Sequence, residues 1–309
     1  MLDLYKLRLF MTVAEQMSIS KAAETHYMTQ SAMSQHIAQL EATLGRALFI
    51  RNRHGVALTD DGERLFAYAE KILSLVAEAE SALVTITPST EGAISLGATP
   101  AISTYRLPTW TYQFTTHYPR LMVRVQTDVT SHIVRDVGSG KLDLGLIEGA
   151  ISDEQAQQLH IHPLETVHHG VIVGHHHAWW GRESLPLEEL RQAKLIMRPT
   201  NSQSRQWLAG ILKDHHIKPA ILLEMDNIES IKRMVAGGDS VAILPHYAIE
   251  EEVKTGMLWH ISIGDVALIR DHKVLWHKTR PISPITRAFL HHLGDIFPHL
   301  VTCLTNSME

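Results

Sequence analysis

The sequence has a single cysteine, Cys303, which excludes an internal disulfide and a cysteine-rich zinc site. It has no run of about 18 apolar residues, so no membrane-spanning helix is expected. Its opening residues, "MLDLYKLRLF", are too short and too polar for a signal peptide, and a reducing cytoplasm is the expected location. Positive charge is not in excess either. The 309-residue chain has a formal net charge of −5, and its first 62 residues balance six cations against six carboxylates. A uniformly basic nucleic-acid surface is therefore excluded, and any DNA contact must rely on local charge. Three of those six cations, Arg46, Arg51 and Arg53, do fall together. The chain also lacks the G-x-S-x-G, P-loop, H-E-x-x-H and G-x-G-x-x-G patterns that would mark common enzyme chemistries.

What is present is a soluble composition, 45% hydrophobic and 20% charged, in a chain long enough for two or three domains. Leu7, Phe10, Val13, Ala14 and Met17 recur at helical spacing and predict a first helix over about residues 4–17. Ser20 is the expected N-cap of a short second helix, "KAAETHY", whose Ala22–Ala23 pair allows close helix approach. Thr29 caps a third helix with Met33, Ile37, Leu40 and Leu44 on one stripe, and Gly45 stops it. This is a helix-turn-helix pattern.

The outer face of that third helix offers Gln30, Ser31, Ser34, Gln35 and Gln39 with scarcely a charge. A merely solvated face usually carries Lys and Glu. An uncharged donor and acceptor face suits base reading, since Gln can pair both amide atoms with adenine and Ser can serve bases or phosphates. The helix N-terminus adds free N–H groups for a phosphate. The following "LFIRNRHGVALT" predicts two short strands around a turn at His54–Gly55, a wing with Arg51 and Arg53 at its tip.

Thr59 or Asp60 begins a long helix carrying Leu65, Ala69, Ile72, Val76, Ala79, Leu83 and Ile86 at heptad spacing. Such a helix would span ~40 Å. The stripe, with Leu65, Ile72, Val76 and Leu83 as its large members, predicts pairing with a second copy rather than packing on its own chain. "TPSTEG", residues 87–92, reads as a hinge.

From Leu7 to Glu63, "LRLFMTVAEQMSISKAAETHYMTQSAMSQHIAQLEATLGRALFIRNRHGVALTDDGE" closely resembles the N-terminus of LysR-type transcriptional regulators. The rest of the chain, from about Ile94 to Phe297, resembles that family's effector domain more loosely. The resemblance implies a homodimer or homotetramer that binds double-stranded DNA and a small co-inducer, with a contact to RNA polymerase and no cofactor. It places Gln30, Ser34 and Gln35 at bases, Thr29 and Ser31 at the backbone, and Arg53 on the wing. The family often has Arg where this chain has Gln35, which bears on the target sequence.

Beyond the hinge, strand-like and helical segments alternate: "AISLGAT" before a helix around 103–116, "LMVRVQT" before one after Thr130, then "LDLGLIEG", "HGVIVG", "KLIMRPT", "AILLEMD" and "SVAILP". Alternation of this kind predicts an α/β fold with parallel sheets. The resemblance implies two lobes, similar to periplasmic binding proteins. The expected division is a winged helix-turn-helix over 1–59, a linker helix and hinge over 60–88, and an effector domain over 89–309. Its first lobe would take about 89–165 and 267–300, its second about 166–266.

Ligands in such lobes sit at the carboxyl ends of strands, where helix N-termini favour anions. The candidate positions are Thr99, Pro100 and Ser103, Thr130 and Ser131, Thr200, Ser202, Ser204 and Arg205 in "PTNSQSR", and Asn227. A Ser or Thr at one such junction is often only a cap; four junctions in a crevice-forming fold point to a small polar or anionic effector. "IEGAI" and "RPTNSQSR" also resemble the "EGP" and "REPGSGTR" of family members tied to carbon fixation and sulfur assimilation, with Asn201 and Gln203 in place of two glycines. A sulfate- or phosphate-like group is the ligand this implies.

The chain has 21 histidines, with runs at His168–His169, His175–His177, His215–His216 and His291–His292. Metal sites usually need carboxylate or cysteine company, and neighbours on a strand face opposite ways, so no metal is expected; a pH response is the other reading. Two rival classes remain: an α/β enzyme, or a solute-binding protein, with an accessory helical domain. Neither needs an exposed Gln30, Ser34 and Arg53 on a dimer. The expected protein is a regulator, not an enzyme.

Overall fold

The computed structural model describes residues 2–52, 55–83 and 86–301. The chain divides into two units, Met1–Thr85 with Thr279–Pro284, and Ile86–Lys278 with Ile285–Glu309.

The first unit holds α1 (Leu4–Gln16), α2 (Ile19–Thr25), α3 (Gln30–Leu44), the hairpin β1 (Phe49–Asn52) and β2 (Gly55–Leu58), and α4 (Asp60–Leu83). The N-cap of α2 is Ser18, two residues ahead of the expected Ser20; its Oγ accepts from Lys21 N at 3.3 Å. Met17, in the left-handed conformation, ends α1 one residue earlier and leaves Ser18 extended for the cap. Thr29 caps α3 by accepting from Ala32 N at 3.2 Å, and Gly45 ends it with φ 67°. Met33, Ile37 and Leu40 bury one side of α3 against Leu7, Phe10 and Val13 of α1. Each such burial is worth about 1.5–3 kcal/mol. Thr59, not Asp60, caps α4, accepting from Gly62 N at 2.9 Å.

The heptad stripe of α4 splits in two. Leu65, Phe66, Ala69, Ile72 and Leu73 pack on the core of their own unit, so the expectation of a wholly intermolecular seam is corrected for that half. The wing core between α1 and β2 needed cover, and the first three turns of α4 supply it. Further along, Val76 is half-buried and Ala79 and Leu75 are exposed.

The second unit is an α/β domain built around one long strand. Its elements run β3 (Gly92–Ala98), α5 (Pro100–Tyr105), α6 (Leu107–His117), β4 (Leu121–Thr127), α7 (Thr130–Gly138), β5 (Leu144–Glu148), α8 (Asp153–Ala156) and β6 (Leu159–Gly174). Then come β7 (Ser184–Leu185), β8 (Lys194–Met197), α9 (Gln203–Asp214), β9 (Ala220–Glu224), α10 (Ile228–Ala236), β10 (Ala242–Pro245), α11 (Glu250–Lys254), β11 (Leu258–Ile263), β12 (Ile269–His277) and α12 (Pro284–Ile296). One helix was expected at 103–116. Pro108, with no N–H to give, breaks it into α5 and α6.

The sheet order is β4-β3-β5-β12-β6-β11-β7, with β10 also on β6. Strands β3, β4 and β5 are parallel, as are β8 and β9. However, β12 is antiparallel to β5 and β6, and β10 and β11 are antiparallel to β6. The expected parallel sheets are therefore mixed, because the chain returns from the second lobe to the first through β12. The expected strand "HGVIVG" is only the end of β6, whose 16 residues would reach ~50 Å. Its first part pairs with β12 up to His168↔Ile269; from His169, paired with Pro245, it pairs with β10 and β11. The two lobes share this strand, and the exchange of partners occurs at His168–His169.

No helix among the described residues is long and apolar enough to cross a membrane.

Candidate functional site

Two surfaces carry the chemistry. The first is the outer face of α3. Gln30, Ser31 and Gln35 are exposed, Ser34 is half-buried, and Thr29 shares a 3.0 Å hydrogen bond between its hydroxyl and that of Ser31. The hairpin behind it is fixed to α1: Val56 N donates to Met17 O at 3.1 Å, and Gly55 has φ +137°. A Cβ on Gly55 would lie 2.3 Å from Met17 O, so only glycine fits this approach. Arg53, the first half of the turn, and the side chains of Arg51 and Leu83 lie outside the described residues, as does Cys303. An uncharged hydrogen-bonding face on a helix braced by α1, α2 and a wing suits insertion into a major groove.

The second is a cavity of about 70 Å³ where β6 changes partners. Thr99 and Pro100 line it from the end of β3, and Thr130 from the start of α7. Ser202, Ser204 and Arg205 line it from the start of α9, with Trp207 one turn on. These sequence candidates converge. The others do not line it. Ser103 is tied to Thr127 at 2.6 Å, Ser131 is exposed, Thr200 gives its carbonyl to Gln206, and Asn227 spends its side chain capping α10.

Four ionisable lining residues lie outside the expected set: Glu148 at the end of β5, His169 on β6, Arg198 after β8 and Arg270 at the start of β12. Glu148 lies within "IEGAI" and His169 within the pair His168–His169, but neither segment marks the side chain as part of a site. On β6 that pair splits as alternation requires, His168 exposed and His169 buried. Nothing in sequence joins Arg270 to Glu148, 122 positions apart.

Glu148 is the hub. Its Oε1 accepts from Arg270 Nη1 at 2.5 Å and His169 Nε2 at 3.1 Å. Its Oε2 accepts from Tyr247 Oη at 3.0 Å and His272 Nε2 at 3.3 Å, and its carbonyl from Arg270 Nη2 at 2.8 Å. His272 Nδ1 reaches Glu165 at 3.0 Å, and Arg106 Nε lies 3.2 Å from the same carboxylate. Burial opposes the charge on Glu148, but the hydrogen bonds from His169 and His272 and the Arg270 guanidinium hold its carboxyl well below the usual range. Burial and the adjacent Glu148 push the Tyr247 hydroxyl well up. The ladder shifts register between His272 and Lys273, the kind of irregularity that re-aims a side chain.

The cavity wall contains buried polar atoms without a partner: Thr99 Oγ1, Thr130 Oγ1, His169 Nδ1, Arg198 Nη1, Arg205 Nη1 and Arg270 Nε. Arg198 is also desolvated, which lowers its affinity for its proton against the pull of Asp226. Among the described residues, no group of three or more His, Cys, Asp and Glu side chains is placed to hold a metal ion.

The comparisons with known proteins agree on what this assembly is. Residues 4–63 match the model of the bacterial regulatory helix-turn-helix protein, lysR family, and residues 88–298 match the LysR substrate binding domain. The chain is similar to a probable RuBisCO transcriptional regulator of Cyanophora paradoxa, 29% identical over 298 residues, covering 96% of this chain and 92% of that one. Among solved structures, a full-length OxyR variant from Pseudomonas aeruginosa superposes with a TM-score of 0.62 at 22% identity, covering 96% of this chain and 94% of that one. The regulatory domain of Synechocystis PCC6803 CcmR, solved in complex with 2-PG, gives 0.62 at 22% identity, covering 67% of this chain and 98% of that domain. With a family-specific DNA-binding unit and a two-lobed effector domain both matched, the chain belongs to the LysR family of DNA-binding transcriptional regulators and is not an enzyme.

Proposed function

We propose that this regulator is switched by a small anion, bearing a phosphate or similar oxyanion group, bound in the cavity beside Glu148. The observation that supports this is the set of unpartnered polar atoms on Thr99, Thr130, His169, Arg198, Arg205 and Arg270. A buried donor left without an acceptor costs about 1–3 kcal/mol, so these groups call for a partner rich in oxygen. Charge agrees. The lining carries Arg198, Arg205 and Arg270 against the single carboxylate of Glu148, and Glu148 already answers Arg270. Two guanidinium groups then face the ligand, a match for a dianion.

On DNA, Gln30, Ser34 and Gln35 read base edges. Thr29, Ser31, Arg51 and Arg53 position the backbone. The protein works as a homodimer or homotetramer, joined in part through the later half of α4, where Leu75 and Ala79 are exposed. An anion that prefers one arrangement of the lobes shifts the arrangement of subunits and so the spacing of DNA-binding pairs. A contact with RNA polymerase belongs to the same proposal and rests on the family alone. The names of the relatives direct attention first to promoters of carbon-fixation genes, and the CcmR complex to 2-PG as the first anion to try.

A thermal-shift series with phosphate, sulfate, 2-PG, cationic and apolar compounds tests the ligand class. Stabilisation by the anions alone is the expected result. Stabilisation by cationic or apolar compounds alone would sink the proposal.

A further inference from the structure

Apart from the cluster around Glu148, a second polar cluster joins the two lobes. Lys232 of α10 is 4% exposed. Its ammonium meets three acceptors: Glu252 Oε1 of α11 at 2.6 Å, Glu229 Oε1 at 2.7 Å and the Ala248 carbonyl at 3.0 Å. All three belong to the second lobe. From the first lobe comes α5. Its Tyr105 sets its ring 4.8 Å from the ammonium and donates its hydroxyl to the same Glu229 oxygen. With Ala101, that ring also packs on the second lobe's buried cluster around Ile228 and Ile231. The same two helices reach the cavity: Thr99, Pro100 and Ala101 line it at the start of α5, and Ile228 and Ile231 at the start of α10. The ammonium keeps its three acceptors whether or not Tyr105 is in place, so parting the lobes here leaves no buried charge alone. The side chain of Glu229 is 47% exposed, so water can take the phenol's place on the carboxylate. The Tyr105–Glu229 bond can therefore open and close.

We propose that Tyr105 and Glu229 form a clasp, seated on Lys232, that holds the lobes in the arrangement that binds the effector. Both are positioning residues, since neither lines the cavity. The lining divides between Thr99 and Thr130 on the first lobe and Ser202 and Arg205 on the second, so the ligand needs both lobes at once. When only a fraction of the molecules has the lobes so placed, apparent affinity falls by that fraction. The clasp thereby sets how much effector the regulator needs before it responds. This role rests on the anion reading of the cavity.

The test is calorimetric titration of the full-length protein with phosphate. Tyr105→Phe keeps the ring and its packing and removes only the donor. Glu229→Ala removes the acceptor, and Glu229→Gln keeps an oxygen that can accept. Tyr105→Phe and Glu229→Ala are each expected to weaken phosphate binding about five- to tenfold, and the pair together no more than either alone. Glu229→Gln should retain most of the affinity. Hydrogen exchange on the ligand-free proteins reads the clasp without any effector: α5 and α10 should both exchange faster in Tyr105→Phe, with β12 unchanged. Faster exchange in α5 alone would make Tyr105 a local support and overturn the proposal. Unchanged exchange, unchanged affinity in Tyr105→Phe, or additive losses in the pair would overturn it too. If the wild type takes up no phosphate, the anion reading fails, and the exchange result alone decides the clasp.

Discussion

Arg270 and Glu148 form a two-point contact that is wholly buried: one guanidinium nitrogen on the carboxylate at 2.5 Å, the other on the same residue's carbonyl at 2.8 Å. It ties the start of β12 to the end of β5. Removing one member of a buried pair leaves the other charge without compensation. Arg270→Met or Glu148→Met should each cost about 3–5 kcal/mol, read by urea unfolding. Glu148→Met combined with Arg270→Met should cost less than the sum, because no lone charge remains. Additive losses would show that the pair does not act as a unit.

The same cluster sets a pH response. Burial opposes protonation of His272, but its hydrogen bonds to Glu148 and Glu165 win and raise its affinity for the proton above the ordinary 6.5. A raised basic group stabilises fully below its unfolded value and loses that contribution as pH rises through the folded value. Thermal stability should therefore decline from about pH 6.5 upward, by at most ~1.4 kcal/mol per pH unit. His160, His162, His177 and His260 are lowered by burial, so their contribution is complete above 6.5 and lost on the acid side. Glu148, lowered, likewise loses its contribution only in acid. His272→Asn should flatten the slope above pH 6.5; a variant curve parallel to the wild type would contradict this assignment.

Gln30 is exposed in the first turn of α3 with no side-chain partner among the described residues. Gln30→Ala should weaken a specific site by about 1–3 kcal/mol and leave random DNA nearly unchanged, read by competition binding at fixed salt. Equal losses on both would make Gln30 a positioning residue.

Gly55→Ala places a Cβ 2.3 Å from Met17 O on a backbone with φ +137°. The DNA-binding unit should lose about 1–3 kcal/mol in thermal unfolding. A neutral substitution would mean that the hairpin can leave α1 without cost.

How far the sequence reveals this molecule depends on distance along the chain. The α3 face was legible because its periodicity, cap and stop all lie between Thr29 and Gly45. The cap of α2 was misplaced by two residues because both Ser18 and Ser20 are good caps, and the left-handed Met17 decides between them. Of the cavity, Thr99, Thr130, Ser202, Ser204 and Arg205 were legible as strand-to-helix junctions, since such junctions point to one crevice. Asn227 and Ser103 share that signature but spend their side chains on local bonds. Glu148, His169 and Arg270 come together only because β6 and β12 close the sheet from far apart in sequence. The return to the first lobe was expected after residue 266, but nothing in the sequence of β12 sets its antiparallel register on β5 and β6.

The most direct test of the anion-switched regulator is a footprint on DNA upstream of its own gene, with and without 2-PG or phosphate. The wild type and Arg198→Met, which removes one unpartnered guanidinium from the cavity, are compared. The account predicts a two-fold protected site that shortens or shifts with the anion in the wild type and stays fixed in the variant. Protection that shifts equally in both proteins, or in neither, would contradict the cavity's role as the switch.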